Sequence, residues 1–295
     1  MTRAGMRILL GGTALAAAAY VGAAALTAEN ALHPARRAAA PECPCVAHVH
    51  CGGAGTAAAD GTRLNGWFYE PDQPNGAAVL LLHGVGWNRE QLLGYGAALE
   101  KAGYRVLLPD LRGHGTSGGF TTYGVLEEQD VQAWADWMLT RPGVRSIYGV
   151  GVSLGASVLL EGLNREKRFR AVVAEAPYSS FPEIAVERTK RPLPEFVRFL
   201  VPPFVGTALA WGRVRYGADL RKASALEAVR RTRTPVLLIH GMSDRGTDAS
   251  NSVRLAAANP AVTSLWLVPG AGHANVRETA RAEYDERMTA WLAAH

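Results

Sequence analysis

The sequence predicts an α/β domain: a mostly parallel central sheet with helices on both faces. Three observations predict it. Six short apolar runs recur along the chain, at 77–84 (AAVLLLHG), 104–110 (YRVLLPD), 146–153 (SIYGVGVS), 170–177 (RAVVAEAP), 235–241 (PVLLIHG) and 263–270 (TSLWLVPG). Short apolar runs closed by Gly or Pro suit strands buried on both faces. The segments between them have helical character, and strands that alternate with helices imply parallel pairing through right-handed crossovers. Finally, 48% of the 295 residues are apolar, enough for one large core rather than two small ones.

The chain opens differently. Arg3 and Arg7 precede an uncharged run from Ile8 to Ala28. As a helix, that run spans about one hydrocarbon core of ~30 Å, longer than the ~7–15 residues of a secretory h-region. Residues 1–30 therefore read as an uncleaved membrane anchor. A cleaved export signal is the alternative, with Ala23-Ala24-Ala25 as a small-residue cleavage site. Arg36 and Arg37 follow the run, so charge does not set its orientation.

Residues 31–59 are rich in Ala, Pro and Gly and read as a linker with one strand at most. All three cysteines lie there, in CPCVAHVHC: Cys43, Cys45 and Cys51, with His48 and His50 between them. The spacing matches no zinc pattern, and no second ligand cluster follows, so no metal is assigned. If the segment is extended, Cys43 and Cys51 lie too far apart to pair. From Asp60 the pattern tightens into the expected domain, residues 60–295. DGTRLNGWFYEP reads as a turn at Asp60-Gly61 and a hairpin arm. Helices are expected at 89–102, after Asn88 as N-cap and before Gly103; at 122–140, with Leu126, Trp134, Trp137 and Met138 on one face; and at 276–293, with Tyr284, Met288, Trp291 and Leu292 aligned.

The net charge of +5 is carried mostly by scattered arginines, with no basic stripe interleaved with aromatics. That pattern argues against a nucleic-acid partner and for a solvated, ion-paired surface.

The chemistry gathers at strand ends, where such sheets bind ligands. Ser153 sits in Gly151-Val152-Ser153-Leu154-Gly155, after a strand and before the apolar helix ASVLLEGL. This is the G-x-S-x-G elbow in its strand–turn–helix setting, where the glycines permit a tight turn that presents the hydroxyl. A serine hydroxyl needs a base. His273 follows the last strand in PGAGHANV. The base needs an acid to fix its tautomer, and Asp244 follows PVLLIHG. The order Ser153, Asp244, His273 suits this elbow. Glu175 and Asp248 are rival acids; Asp244 is favoured because its strand directly precedes the histidine strand. The oxyanion needs two backbone N–H donors. Leu154, at a helix start, offers one, and Val85, in the loop of LLLHGVGWN, the other. His83 in that loop reads as structural.

These motifs, with LLPDLRGHGTSGG, VLLIHGMSD and GAGHAN, identify the chain as similar to serine hydrolases of the α/β-hydrolase superfamily. It resembles monoacylglycerol-lipase-like and serine-aminopeptidase-like members over about residues 60–295. The resemblance implies an α/β-hydrolase fold, a Ser153-His273-Asp244 triad and no cofactor, and makes the segment of Asp110, Arg112 and Gly113 a structural turn. A serine at the elbow separates the chain from epoxide hydrolases and haloalkane dehalogenases, which use aspartate, and from dienelactone hydrolases, which use cysteine. One departure stands out: relatives often carry Val-Pro soon after the acid, whereas Asp244 is followed by RGTDAS.

The segment 178–234 is longer than an ordinary crossover and rich in Phe, Val, Leu and Trp. It reads either as a small cap over the site or as a packed crossover with a Pro-broken loop. The expected activity is cleavage of a small-molecule or lipid-like carboxylic ester through an acyl-enzyme. Amide or peptide cleavage, thioester hydrolysis, acyl transfer by the same triad, and a binding scaffold without turnover are the alternatives. The expected location is a membrane, through the N-terminal helix, or outside the cell if that segment is cleaved. The oligomeric state is not legible.

Overall fold

A computed structural model describes residues 3–40, 42–44 and 49–295. Helix α1 (Arg3–Leu32) is followed by a hairpin, β1 (Val49–Ala57) and β2 (Arg63–Pro71). Next come β3 (Ala77–Leu82), α2 (Leu93–Lys101), β4 (Arg105–Pro109), α3 (Glu127–Leu139), β5 (Ser146–Val152), α4 (Leu154–Gly162) and β6 (Phe169–Glu175). The long crossover from β6 holds α5 (Phe181–Lys190), a 3-10 helix (Glu195–Leu200), α6 (Val201–Tyr216) and α7 (Ala225–Arg231). The chain ends with β7 (Val236–Gly241), α8 (Ser250–Ala258), β8 (Thr263–Val268), α9 (Val276–Thr279) and α10 (Arg281–Ala294).

The eight strands form one sheet in the order β1-β2-β4-β3-β5-β6-β7-β8. β1 pairs antiparallel with β2, and β2 with β4; every other pair is parallel. The six apolar runs are thus the six strands from β3 to β8. The period-two geometry of a strand divides their side chains between two cores. On β3, Ala78, Leu80 and Leu82 face a core shared with Trp134 and Met138 of α3 and with the apolar side of α4. Ala77, Val79 and Leu81 face the opposite core, closed by Tyr95 and Leu99 of α2 and by Tyr284, Met288 and Leu292 of α10.

Three helix boundaries differ from expectation. The expected helix 89–102 opens as a 3-10 turn, Arg89–Leu92, so α2 begins at Leu93. α3 begins at Glu127 rather than 122, because Tyr123 (φ 57°) and Gly124 (φ 124°) hold left-handed conformations that no α-helix continues. The Glu127 carboxylate caps that turn, accepting the N–H groups of Thr122 and Gly124. The expected helix 276–293 is two helices, interrupted where Ala280 (φ −137°, ψ 52°) leaves helical geometry.

The cysteine expectation is corrected. Cys43 and Cys51 form a disulfide, with Cα atoms 6.0 Å apart. An extended path between them would separate these atoms by roughly 26 Å, so the premise of extension was wrong. Cys45 and His48 lie outside the described residues. Within 31–59, β1 adds an edge strand through its full pairing with β2, from Val49↔Pro71 to Ala57↔Arg63.

Among the described residues one helix, Gly11–Leu32, is long and apolar enough to cross a membrane. Its first half is exposed, but its C-terminal part is packed. Ala24 and Ala28 meet Ala208 of α6, and Leu32 is fully buried in the larger core. Glu29 accepts hydrogen bonds from Trp211 Nε1 (2.7 Å) and the Tyr216 hydroxyl, both on α6. The chain then runs over the strand-end loops: Arg36 donates to the carbonyls of Ser117 and Gly119, and the Arg37 guanidinium stacks on Trp87.

Candidate active site

Strand β5 delivers Ser153 into a conformation that L-residues avoid, φ 54° and ψ −115°. The neighbouring packing holds it there. A Cβ on Gly151 would meet the Gly155 carbonyl oxygen at 2.5 Å, and one on Gly155 would meet the Leu82 carbonyl oxygen at 2.1 Å. Only glycine at both positions lets α4 start this close to β3 and β5. The Ser153 N–H donates to the Glu175 carbonyl at 2.8 Å, which fixes the turn to β6. Strain maintained by such over-determined packing is a mark of functional turns.

The loops after β7 and β8 converge on this serine. Ser153 Oγ lies 2.9 Å from His273 Nε2, and His273 Nδ1 lies 2.7 Å from Asp244 Oδ2. Since a carboxylate only accepts, Nδ1 carries the proton toward Asp244, and Nε2 is left to accept from the hydroxyl. The three residues are thus joined in one hydrogen-bonded chain, with Ser153 at 5% exposure and Asp244 at 7%.

Asp244 accepts from more than the imidazole. Oδ1 takes the N–H groups of Gly246 (2.6 Å) and Thr247 (2.8 Å), and Oδ2 also faces His240 Nε2 at 3.2 Å. Burial alone would raise its pKa; the hydrogen bonds from His240, His273 and Thr247 outweigh it and hold the carboxyl well below the ordinary aspartate range. Gly246 explains how RGTDAS replaces Val-Pro. A Cβ there would stand 2.8 Å from the His273 ring, so glycine lets the loop fold under the imidazole while its N–H grips the acid.

His240 is a residue that sequence reading missed. It is fully buried, with Nδ1 2.7 Å from Ser252 Oγ and Nε2 2.9 Å from the Thr247 carbonyl. The signal was its position four residues before Asp244, at the end of β7. The rival acids are placed elsewhere. Exposed Asp248 accepts the Ser250 N–H near the start of α8. Glu175 points to the opposite core, where it accepts the Tyr95 hydroxyl (2.8 Å) and the Val276 N–H (3.1 Å). Burial pushes its carboxyl pKa up, against the hydrogen bond from Tyr95. Glu175 therefore ties the serine turn, through its backbone, to the histidine loop, through its side chain.

Leu154 is the first residue of α4, so its N–H has no partner within that helix. Val85 lies in the loop against the serine: a Cβ on adjacent Gly84 would stand 3.6 Å from Ser153 Cβ. Two bonds hold this loop. The Gly84 N–H donates to Gln91 Oε1 at 2.7 Å, and His83, fully buried, accepts the Leu111 N–H on Nε2 at 3.0 Å. Asp110, Arg112 and Gly113 sit behind it. Asp110 pairs with Arg89 at 3.0 Å, and Arg112 makes a bidentate pair with Asp130, both bonds 2.6 Å. Gly113 turns with φ 74°.

Known proteins are similar to this chain in sequence or in structure. A Bacillus subtilis protein, YqkD, is 27% identical over 239 residues, covering 79% of this chain and 76% of its own. Mycobacterium tuberculosis Rv2307c is 30% identical over 218 residues, 72% of this chain and 69% of that one. Among solved structures, a Pyrococcus furiosus esterase, Pf2001, superposes with a TM-score of 0.66 at 26% identity, over 83% of this chain and 92% of its own. The model of the alpha/beta hydrolase family matches residues 79–287, from β3 into α10, and spans the serine turn and both loops that meet it; the chain belongs to that family.

Proposed function

We propose that the protein is a membrane-anchored serine hydrolase that cleaves carboxylic esters through an acyl-enzyme. The observation that carries this reading is the continuous chain Ser153 Oγ–His273–Asp244, at 2.9 Å and 2.7 Å. Ser153 Oγ attacks the ester carbon as His273 Nε2 takes its proton. Asp244 stabilises the imidazolium that forms. The N–H groups of Leu154 and Val85 receive the charge that develops on the carbonyl oxygen. His273 then gives its proton to the departing alkoxide. Water enters, loses a proton to His273 and releases the acid, restoring the serine. None of these steps calls for a metal or an organic cofactor.

Kinship with an esterase supports an ester rather than an amide substrate. The segment 178–234 acts as the cap in this reading, since α5 reaches the acid loop: Arg188 lies within hydrogen-bonding distance of the Gly246 carbonyl and Thr247 Oγ1. The packing of α1 supports retention of the anchor, because cleavage near Ala25 would strip Tyr20 and Ala24 from α6.

The test is labelling by a fluorophosphonate probe together with turnover of p-nitrophenyl esters of graded length. Wild type labels and turns over, and Ser153→Ala does neither. Equal labelling of the two proteins would dismiss Ser153 as the nucleophile.

A further inference from the structure

We propose that the 3-10 helix Glu195–Leu200 and the first turn of α6 are immersed in the membrane leaflet that receives the C-terminal, α6-facing part of α1, so that the cap meets bilayer acyl chains directly. The proposal rests on the reading of α1 as a membrane anchor. It follows from how α1 is packed. The two helices run parallel: Tyr20 meets Phe204 edge-on with ring centroids 5.7 Å apart, Ala24 and Ala28 meet Ala208, and Glu29 bonds Trp211 and Tyr216. The start of α6 therefore points back along the anchor.

Length then fixes depth. The apolar run ahead of the first buried contact, Ile8 to Ala23, has 16 residues. As a helix it covers roughly 24 Å, about 6 Å short of a hydrocarbon core of ~30 Å. The missing depth comes from the packed part of α1, and that part cannot enter without carrying Phe204 and the preceding 3-10 helix with it.

The surface at that level suits acyl chains. Phe196, Phe199 and Leu200 are 77%, 72% and 51% exposed, although a water-facing turn has no use for three such side chains. Among the described side chains of α1, Leu15, Tyr20, Val21 and Leu26 are large, apolar and exposed. Between the two elements lies an apolar groove of about 560 Å³, walled by Tyr20 on one side and by Leu193, Val197, Leu200 and Phe204 on the other. Its apolar lining suits an acyl chain of the anchoring bilayer. Arg198 of the 3-10 helix folds back onto the Leu193 carbonyl, and Arg191 just before that helix pairs with Glu187; long arginine side chains beside an apolar patch can reach the phosphate layer from there. From this surface α5 leads to the acid loop, so an ester whose acyl chain stays in the leaflet is the substrate class the cap favours.

The experiment uses the full chain in phosphatidylcholine vesicles doped with a phosphatidylcholine that carries a diazirine on its acyl chain. After illumination, adducts are mapped by mass spectrometry. Adducts are expected on α1 and on residues 195–204. The double variant F196E/F199E alters only exposed side chains; it is expected to lose cap adducts by about tenfold or more while α1 adducts persist. Adducts on α1 with none on 195–204 would overturn the proposal and leave the anchor standing. Cap adducts that survive the double substitution would overturn it too. No adducts on either element would remove the anchor reading and the proposal with it.

Discussion

Lowering the pH should destabilise the protein through His83, at the root of the loop that carries Val85. The imidazole is fully buried. Its Nε2 accepts the Leu111 N–H at 3.0 Å, which leaves Nδ1–H to donate to the Gly84 carbonyl at 2.8 Å. A second ring proton would face the Leu111 N–H, donor against donor, in a fully buried site. Burial, and then His114, whose ring centroid stands 5.2 Å away, lower the pKa from its ordinary 6.5 to about 3. Because the folded value lies below the unfolded one, the stability linked to this group is fully present above pH 6.5 and is lost as pH falls toward 3. The slope is about 1.4 kcal/mol per pH unit, reaching on the order of 2 kcal/mol by pH 5 and about 5 kcal/mol at the acid limit. His83→Gln removes the titration, and its amide oxygen can still accept the Leu111 N–H. Urea unfolding of the detergent-solubilised full chain between pH 4.5 and 7.5, followed by circular dichroism, yields the two stability curves. Their difference should change with the stated slope below pH 6.5 and flatten above it. Parallel curves across the whole range would refute the reasoning.

Three substitutions test the rest of the site. Asp244→Asn leaves an amide opposite His273 Nδ1 and favours the wrong tautomer; turnover of a soluble ester should fall by about 10³–10⁴-fold, and a loss under tenfold would remove Asp244 from the relay. Glu175→Gln keeps the shape but turns an amide N–H₂ toward the Tyr95 hydroxyl or the Val276 N–H. Thermal denaturation should report a loss of about 1–3 kcal/mol, and an unchanged melting temperature would show that this link between the serine turn and the histidine loop carries no stability. Gly155→Ala places a Cβ 2.1 Å from the Leu82 carbonyl oxygen, a backbone atom that cannot step aside. It should cost about 1–3 kcal/mol and shift the Leu154 N–H, so that probe labelling slows severalfold in protein that is still folded; wild-type labelling would count against that N–H.

The meeting of Ser153, His273 and Asp244 was legible because each follows a strand whose end is punctuated locally. Gly151 and Gly155, Gly241, and Gly270 with Gly272 mark three turns, and a parallel sheet brings its carboxyl ends to one rim whatever lies between them. What escaped depended on tertiary paths rather than local pattern. His240 acts on Asp244 only because residues 241–247 fold back over the end of β7, and no periodicity encodes that. The Cys43–Cys51 bridge was rejected by assuming one backbone conformation. The late start of α3 turned on Tyr123, whose residue type carries no left-handed preference. The pairing of α1 with α6 joins segments more than 180 residues apart, as the Glu29–Trp211 bond shows, through small side chains that look like ordinary anchor composition. That last contact bears most on function. Glu29 keeps about a third of its side chain exposed (33%), and by accepting from Trp211 and Tyr216 it ties α1 to α6 and so sets where segment 178–234 stands relative to the helix proposed to enter the bilayer.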